Sequence, residues 1–202
     1  MTKKPVFKDT SIQETYLRQG YVVLPVFNQQ EVEEMITLHD STHPNVKDLS
    51  NCYNTSDDAL TIEAKRKAKN AISKALEPFF SEYLNGFKGI YFNFIGKKPG
   101  DNSIRYLHQD YSFCDESIHN GYNIWIPLHD ITEENSYFSI VRNSYQFFHS
   151  YRGRQLRHRF DPITNKIIDQ LCTNIYPKAG HALIYNTASL HHTPLNISNN
   201  SR

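Results

Sequence analysis

Apolar side chains recur at helical intervals in the first part of the chain, as at Val32, Met35 and Ile36. Asn28 and Glu31 stand three residues apart just before this stripe. That spacing is typical of a capping box, in which each side chain bonds the other residue's backbone N–H. The pattern therefore predicts a helix that begins next to Asn28.

Three further elements are predicted in the same part of the chain: a helix over 13–19, a strand over 21–24 and a longer helix over about 57–84. Ser56 is the expected cap of the longer helix. Pro78 should kink or restart it, because proline lacks the N–H that a helix interior uses. The Asn85-Gly86 pair is a plausible stop. The front of the chain, about 1–86, is thus expected to be mainly helical.

From residue 87 the pattern changes to short aromatic and β-branched runs separated by turns. The predicted strands lie over 89–95, 104–107, 122–128, 137–141, 180–185 and 190–197, with a turn at 97–101. Residues 146–173 fit no element clearly. Helices first and then many short strands predict a mainly β fold, an all-β barrel or jelly roll with the amino-terminal helices packed outside it. We expect one domain over 1–202, with its β core over 87–202.

Composition and net charge argue against two classes of partner, nucleic acid and membrane surfaces. The chain has 202 residues and a formal net charge of +1, so no basic stripe argues for nucleic acid and no polybasic cluster for a membrane surface. The amino-terminal residues lack an apolar signal region, and no apolar run approaches the ~18 residues that span a bilayer. The three cysteines, Cys52, Cys114 and Cys172, are widely spaced. Free thiols fit a reducing cytosol, and a cytoplasmic location is expected.

Candidate chemistry lies in two distant segments. His108 and Asp110 are separated by one residue, and in a strand such residues point to the same face. One more imidazole, from His191 or His192, would complete a 2-His-1-carboxylate set, which suits non-haem Fe(II) with open coordination positions. The chain has ten histidines, so a His-x-Asp by itself arises easily by chance.

Periodicity cannot choose between His191 and His192, which point to opposite faces of a strand. Arg202 follows His191 by eleven residues. Since this odd separation puts the two on opposite faces, a bulge or a turn must intervene if they act together. The adjacent pair His129-Asp130 lacks the alternating geometry, and we interpret it as structural.

The chain resembles the phytanoyl-CoA dioxygenase-like family of Fe(II)- and 2-oxoglutarate-dependent oxygenases over nearly its whole length. The residues that carry the resemblance are the opening 19–25, Glu31-Val32, the His108-Gln109-Asp110 motif, the run 125–135 with Asp130, Thr132 and Asn135, and the closing Gly180, His191, Asn196, Ser198 and Arg202. This register favours His191 over His192. It also implies a double-stranded β-helix, the jelly roll of cupin-like proteins.

By this resemblance His108, Asp110 and His191 bind iron. Arg202 pairs with the distal carboxylate of 2-oxoglutarate and Thr193 adds a hydroxyl to it. Three further residues are assigned to the cosubstrate pocket: Trp125 and Phe94 as its lining, with Gln109 beside it. For Trp125 and Phe94, ordinary core packing is an equal alternative.

The resemblance implies hydroxylation of a small molecule with O2, Fe(II) and 2-oxoglutarate, and with succinate and CO2 as co-products. The carboxylate of Asp110 argues against chlorination, because related halogenases carry a small residue there. A catalytically inactive jelly-roll binding protein with a vestigial metal site is the alternative. A zinc-dependent cupin-like isomerase or hydrolase is weaker, since Arg202 would then have no role.

Three departures from the family pattern stand out. The family follows its Asn with Gly and later has a Pro-Gly-Ser-His turn, whereas this chain has Asn135-Ser136 and then Arg142-Asn143-Ser144-Tyr145. The missing His predicts a different substrate. The family also continues beyond the position of Arg202, so a shortened chain is expected.

A basic cluster could meet an anionic substrate group or form a solvated face; its members are Arg152, Arg154, Arg157, His158 and Arg159.

Overall fold

The computed structural model describes residues 3–42, 53–55, 61–100, 105–147, 151–153 and 161–202. The helices are α1 (Thr10–Gln19), α2 (Gln29–Thr42), α3 (Ile62–Tyr83) and α4 (Thr164–Leu171). The strands are β1 (Tyr21–Pro25), β2 (Tyr53–Thr55), β3 (Ile95–Lys97), β4 (Arg105–His108), β5 (Tyr122–Trp125), β6 (Phe138–Val141), β7 (Cys172–Ile175), β8 (His181–Asn186) and β9 (His191–Thr193). In these ranges no helix is both long enough and apolar enough to cross a bilayer.

Two antiparallel sheets form the centre of the fold, with strand orders β1-β8-β5 and β4-β9-β6-β7, and β2 pairs with β3 beside them. Phe138, Ile140 and Ile175 of one sheet pack against Leu183 and Tyr185 of the other. Two sheets face to face over such a core are the jelly roll that the strand pattern predicted.

Strand β8 shows why the helices lie outside the sheets. Its four central residues are all buried, so both of its faces are covered. Leu183 and Tyr185 face the other sheet. Ala182 and Ile184 instead join the cluster formed with α1 and α3. Because alternate residues of a strand point to opposite faces, one run of apolar residues supports both layers.

The predicted capping box of α2 is confirmed. The Asn28 backbone N–H donates to Glu31 Oε2 at 2.8 Å, and the Glu31 N–H donates to Asn28 Oδ1 at 3.1 Å. The longer helix was expected to begin near residue 57 with its cap at Ser56, and these positions lie outside the residues that the structure describes. Within them, Thr61 Oγ1 accepts from the Ala64 N–H at 3.2 Å and caps α3. Helix α3 continues through Pro78 rather than restarting there.

The predicted strand over 89–95 is wrong, since β3 begins only at Ile95 and residues 89–94 form no strand. Their aromatic rings pack onto helices instead of alternating across a sheet. The ring centroids of Phe92 and of Phe80 in α3 are 6.4 Å apart, and those of Phe94 and of His39 in α2 are 5.4 Å apart in an edge-on arrangement. The strands predicted over 122–128 and 190–197 are shorter than expected. Helix α4 lies within the stretch 146–173 that fitted no element, and strand β7 begins at the end of that stretch and continues to Ile175.

Two of the departures from the family pattern, at Ser136 and in the turn 142–145, fall at the two described non-glycine residues with positive φ. Ser136 has φ 75° and Asn143 has φ 58°, which is the left-handed region that favours glycine. Each stands where the family pattern has Gly. Asn tolerates this region comparatively well. Ser136 keeps the conformation while adding a hydroxyl, which donates to the Pro194 carbonyl. The backbone of both turns is therefore compatible with the family pattern despite the substitutions.

We expect Gly180→Ala to destabilise the fold by roughly 2 kcal/mol or more, because alanine would be held in the left-handed region and would also clash. Gly180 has φ +77°, and an added Cβ would lie 2.3 Å from the Phe27 carbonyl oxygen. The measurement is urea unfolding followed by circular dichroism. Gly96→Ala is the matched control, since a Cβ there meets nothing within 4 Å. Equal stability of the two variants would contradict the packing described for Gly180.

Candidate metal centre

His108, Asp110 and His191 converge at one point, with one candidate ligand atom from each lying within 4.8 Å of the others. His108 Nε2 is 3.8 Å from Asp110 Oδ1, and His191 Nε2 is 3.6 Å from Asp110 Oδ2. His108 ends β4 and His191 begins β9, and the two are direct partners across the paired strands. Strand pairing therefore brings together residues that are far apart in the chain.

Register also resolves the choice between the two adjacent histidines. His191 is the cross-strand partner of His108 and of Ile140, whose side chain belongs to the core between the sheets. His192 pairs with Ser139 and so points to the opposite face. The structure thus places His191, and not its neighbour, beside Asp110.

Both imidazoles present the same nitrogen to the centre. His108 Nδ1 lies 2.6 Å from the Tyr106 carbonyl oxygen, and His191 Nδ1 lies 2.9 Å from the Ser189 carbonyl oxygen. A carbonyl can only accept, so each Nδ1 donates to its carbonyl and each Nε2 is the nitrogen that faces the centre. Metal-ligating histidines are oriented by such contacts. Two imidazoles and one carboxylate are the donor set that Fe(II) takes in 2-His-1-carboxylate sites, and the residues fit that metal.

Asp110 is held by two side chains that the sequence patterns did not single out. Asn123 Nδ2 donates to Asp110 Oδ2 at 2.7 Å, and the Tyr185 hydroxyl donates to the same oxygen at 3.0 Å. Asn123 of β5 and Tyr185 of β8 are cross-strand partners. One available signal was that Asn123 stands two residues before Trp125, and so on the same face of its strand.

An aromatic wall shields one side of the centre. The ring of Phe138 stacks on His191 with centroids 5.1 Å apart and 10° between planes, and Tyr185 lies 4.9 Å from His191. The side chain of His191 is only 4% exposed, whereas that of His108 is 40% exposed. The centre is therefore open to solvent on the side of His108.

A turn brings the carboxy-terminal residue back to the sheet. Asn196 Oδ1 accepts from the N–H and hydroxyl of Ser198, and its amide donates to the carbonyl of Asn200 at 3.0 Å. Arg202 and Lys97 then exchange two backbone hydrogen bonds of 2.8 and 3.0 Å. The odd separation of His191 and Arg202 predicted a bulge or a turn between them, and the structure has a turn.

Arg202 and Trp125 are neighbours. The guanidinium carbon of Arg202 lies 5.2 Å from the centroid of the Trp125 ring, a cation–π arrangement. Trp125 stacks on Phe138 at 5.8 Å, and Phe138 stacks in turn on His191. A continuous series of rings therefore joins the predicted 2-oxoglutarate arginine to a predicted metal ligand.

Lys97 is a buried cation that sequence reasoning placed in a turn. It is 1% exposed, and its Nζ donates to Thr193 Oγ1 at 2.8 Å, to the Pro194 carbonyl at 2.6 Å and to the hydroxyl of Ser136. Thr193 was predicted to bind the cosubstrate carboxylate. Lys97 thus contacts the Thr193 hydroxyl directly and is joined to Arg202 through the backbone. No local spacing signals the burial of this lysine.

His192 adds no further charge on the outer face of β9. It is buried, and burial together with the positive charge of Lys97 and the neighbouring His108 lowers its pKa to about 4. The imidazole is therefore neutral at pH 7, because protonation would place a cation in a poorly solvated position.

The other predicted positions have different surroundings. Gln109 Nε2 donates to the carbonyl of Ala188. Phe94 packs against α2 as described above. Arg152, predicted either to meet an anionic substrate group or to lie on a solvated face, is instead buried and pairs with Glu116 at 2.6 Å. The other members of that basic cluster lie outside the described residues. Asp130 Oδ1 accepts the Ala179 N–H at 2.8 Å, in keeping with a structural role.

The sequence model of the family described as phytanoyl-CoA dioxygenase (PhyH) matches residues 16–202 of this chain. That span includes every residue of the centre. No curated protein sequence matches the chain.

Solved structures with a similar fold include HygX from Streptomyces hygroscopicus with nickel and 2-oxoglutarate bound, at 17% identity and a TM-score of 0.66, covering 96% of this chain and 83% of that one. The carbocyclase SnoK from nogalamycin biosynthesis, described as non-heme and alpha ketoglutarate dependent, has 17% identity and a TM-score of 0.65, with 96% and 80% covered. The epimerase SnoN, in complex with Fe3+, alpha ketoglutarate and nogalamycin RO, has 16% identity and a TM-score of 0.61, with 95% and 80% covered. At these identities the likeness establishes the shared fold.

Proposed function

The chain belongs to the phytanoyl-CoA dioxygenase family, and on that premise we propose that it is an Fe(II)- and 2-oxoglutarate-dependent dioxygenase. In this proposal it hydroxylates a small molecule and forms succinate and CO2 as co-products. The observation that carries the proposal is the convergence of His108, Asp110 and His191 within 4.8 Å, with both histidine Nε2 atoms directed at the carboxylate. HygX, of similar fold, was solved with a metal and 2-oxoglutarate.

His108, Asp110 and His191 are the proposed iron ligands. When bound, Fe(II) would supply the activation of O2 and the removal of hydrogen from a C–H bond. The chain's own part is to orient both imidazoles through the Tyr106 and Ser189 carbonyls, so that each Nε2 is directed at the centre. A set of three protein ligands would leave other coordination positions of a bound Fe(II) open to the cosubstrate and O2.

Arg202 and Thr193 are the proposed contacts of the distal carboxylate of 2-oxoglutarate, and Lys97, whose ammonium donates to the Thr193 hydroxyl, is proposed to supply positive charge behind them. Two cations and a hydroxyl suit a carboxylate, and charge-assisted hydrogen bonds are the stronger kind. Trp125 is the proposed wall of this pocket, since its ring lies 5.2 Å from the Arg202 guanidinium carbon. Gln109 and Phe94 remain predicted neighbours of the pocket.

Hydroxylation is the proposed outcome because Asp110 keeps a carboxylate where halogenases of this type carry a small residue. SnoK is a carbocyclase and SnoN an epimerase, so this fold also serves reactions other than hydroxylation. Product analysis therefore has to accompany any assay: a product heavier than the substrate by one oxygen atom supports hydroxylation, whereas loss of two hydrogens or inversion of a centre contradicts it.

The substrate is proposed to approach from the side of His108, whose imidazole is the more exposed of the two. Large aromatic side chains are exposed near the ligands in the chain: Tyr106, Tyr111 and Phe113. Such exposed apolar groups are typical of ligand-binding surfaces.

A cytoplasmic location is part of the proposal, because Cys114 and Cys172 are free thiols.

Anaerobic titration with Fe(II) and 2-oxoglutarate tests the proposal. We expect a weak visible charge-transfer band that requires both components, followed by succinate formation when air is admitted. Succinate added in place of 2-oxoglutarate is the control for the band. Metal and 2-oxoglutarate binding without succinate in air would favour the inactive binding protein, and absence of both the band and succinate would overturn the proposal.

A further inference from the structure

We propose that Arg152 and Glu116 form a buried ion pair whose role is to position the metal ligand Asp110. This inference rests on the proposed function, because it assigns the two residues to the same centre. Neither touches the converging ligand atoms in the contacts described above, so both act through the backbone of Asp110.

Asp110 needs interactions that position it, because it lies beyond the end of a strand. Strand β4 ends at His108, so the strand ladder that orients His108 does not extend to the carboxylate ligand. Outside regular secondary structure, the position of a metal ligand is fixed by the hydrogen bonds that the residue itself makes. The distance from Asp110 to both imidazoles therefore depends on contacts made after the strand has ended.

The backbone of Asp110 is closed into a ring of hydrogen bonds. Its carbonyl accepts from Arg152 Nε at 2.7 Å, and Arg152 Nη2 pairs with Glu116 Oε1 at 2.6 Å. The same Glu116 oxygen accepts from the Thr187 hydroxyl at 2.8 Å. The Thr187 carbonyl then accepts the Asp110 N–H at 3.0 Å. Both backbone polar atoms of the ligand are thus tied to one ion pair.

Burial makes this ring resistant to rearrangement. Arg152 is 6% exposed, and the Glu116 side chain is 17% exposed. A buried guanidinium separated from its carboxylate is strongly disfavoured, so the pair holds its geometry. The planar fork of arginine can bond a carbonyl and a carboxylate at once, which the single ammonium of lysine does less well.

Gly121 shows how tightly the ring is enclosed. A Cβ added there would lie 2.5 Å from Thr187 Oγ1 and 2.9 Å from Glu116 Oε1. The absence of a side chain at this position lets the threonine and the glutamate meet. The backbones of these residues are also in contact, since the Thr187 N–H donates to the Gly121 carbonyl at 3.2 Å.

Metal titration of the metal-free full chain tests the inference, with Co(II) as the probe and its ligand-field absorption as the readout. Arg152→Lys keeps the charge but loses the fork, and we expect its Co(II) dissociation constant to rise by roughly 10- to 100-fold, the usual cost of losing an outer-sphere partner of a ligand. Thr187→Val removes one hydroxyl and should give a smaller rise. Arg18→Lys, at an exposed arginine of α1, is the matched control.

The spectrum separates positioning from simple stability. We expect the band positions and intensities of bound Co(II) to change in Arg152→Lys, because a displaced carboxylate alters the ligand field. Co(II) affinity and spectrum equal to wild type would overturn the inference, even if the thermal midpoint fell. If Arg152→Lys does not fold, Thr187→Val and Gly121→Ala decide the same question from the other side of the ring. Failure of the wild-type chain to bind Co(II) would instead overturn the proposed function, and the inference with it.

Discussion

Replacing Asp110 by alanine is expected to abolish succinate formation and to weaken metal binding by more than the roughly 100-fold that loss of an outer-sphere partner costs. Asp110 is the only carboxylate of the three-residue set, and its oxygens lie 3.6–3.8 Å from the two histidine Nε2 atoms. Without it, two imidazoles remain and nothing in the set offsets the charge of the metal. Co(II) titration and a coupled succinate assay measure the two effects.

The design of this experiment has to exclude halide and unfolding as explanations. Because a small residue at this position admits halide in related halogenases, the assay is run without chloride and then repeated with it. Asp110→Asn keeps the side-chain shape toward Asn123 and Tyr185 and so tests the charge alone. Asp169→Ala, at an exposed aspartate of α4, is the matched control. Succinate formation by a folded Asp110→Ala variant in chloride-free buffer would contradict the assignment.

Replacing Lys97 by methionine is expected to weaken 2-oxoglutarate binding by roughly 10- to 150-fold, because the hydrogen bond through which the ammonium orients Thr193 is lost. A hydrogen bond to a charged group is worth ~1.5–3 kcal/mol. The lysine is buried beside Thr193 and is joined to Arg202 through the backbone. Methionine has a similar length and fills buried space well, so the fold should survive. Anaerobic titration of the Fe(II) complex with 2-oxoglutarate gives the affinity.

Metal affinity is the internal control for this second variant, because Lys97 makes no contact with the three ligand residues among the bonds described. Co(II) binding should therefore equal that of wild type, whereas the 2-oxoglutarate affinity falls. Lys88→Met, at an exposed lysine, is the matched control. An unchanged 2-oxoglutarate affinity would remove Lys97 from the proposed carboxylate pocket and leave Arg202 and Thr193.

Local sequence spacing anticipated the parts of the site that depend on local geometry. The His-x-Asp motif placed His108 and Asp110 on one side of an extended segment, and Asn28 and Glu31 form the predicted capping box. The odd separation of His191 and Arg202 predicted a bulge or a turn, and the side chains of Asn196 and Ser198 form a turn. Each of these features spans about a dozen residues or fewer, a range over which backbone geometry follows directly from spacing.

Features that depend on distant segments were missed. Asn123 and Tyr185 bond Asp110 only because β5 and β8 pair in one register. The burial of Lys97 follows from contacts with residues almost a hundred positions away. Residues 89–94 have strand-forming composition, yet Phe92 and Phe94 pack on helices that the local pattern could not place beside them.

By itself the sequence predicted the class of fold and the family, and it pointed to His108 and Asp110 by their spacing and to His191 through the family resemblance. Its alternation could not choose between His191 and His192, since a one-residue shift exchanges the two faces of a strand. The tertiary structure decided that choice by pairing His191 with both His108 and the core residue Ile140. It also decided how Asp110 is held, because a carboxylate beyond the end of its strand takes its position from side chains brought there by the rest of the fold.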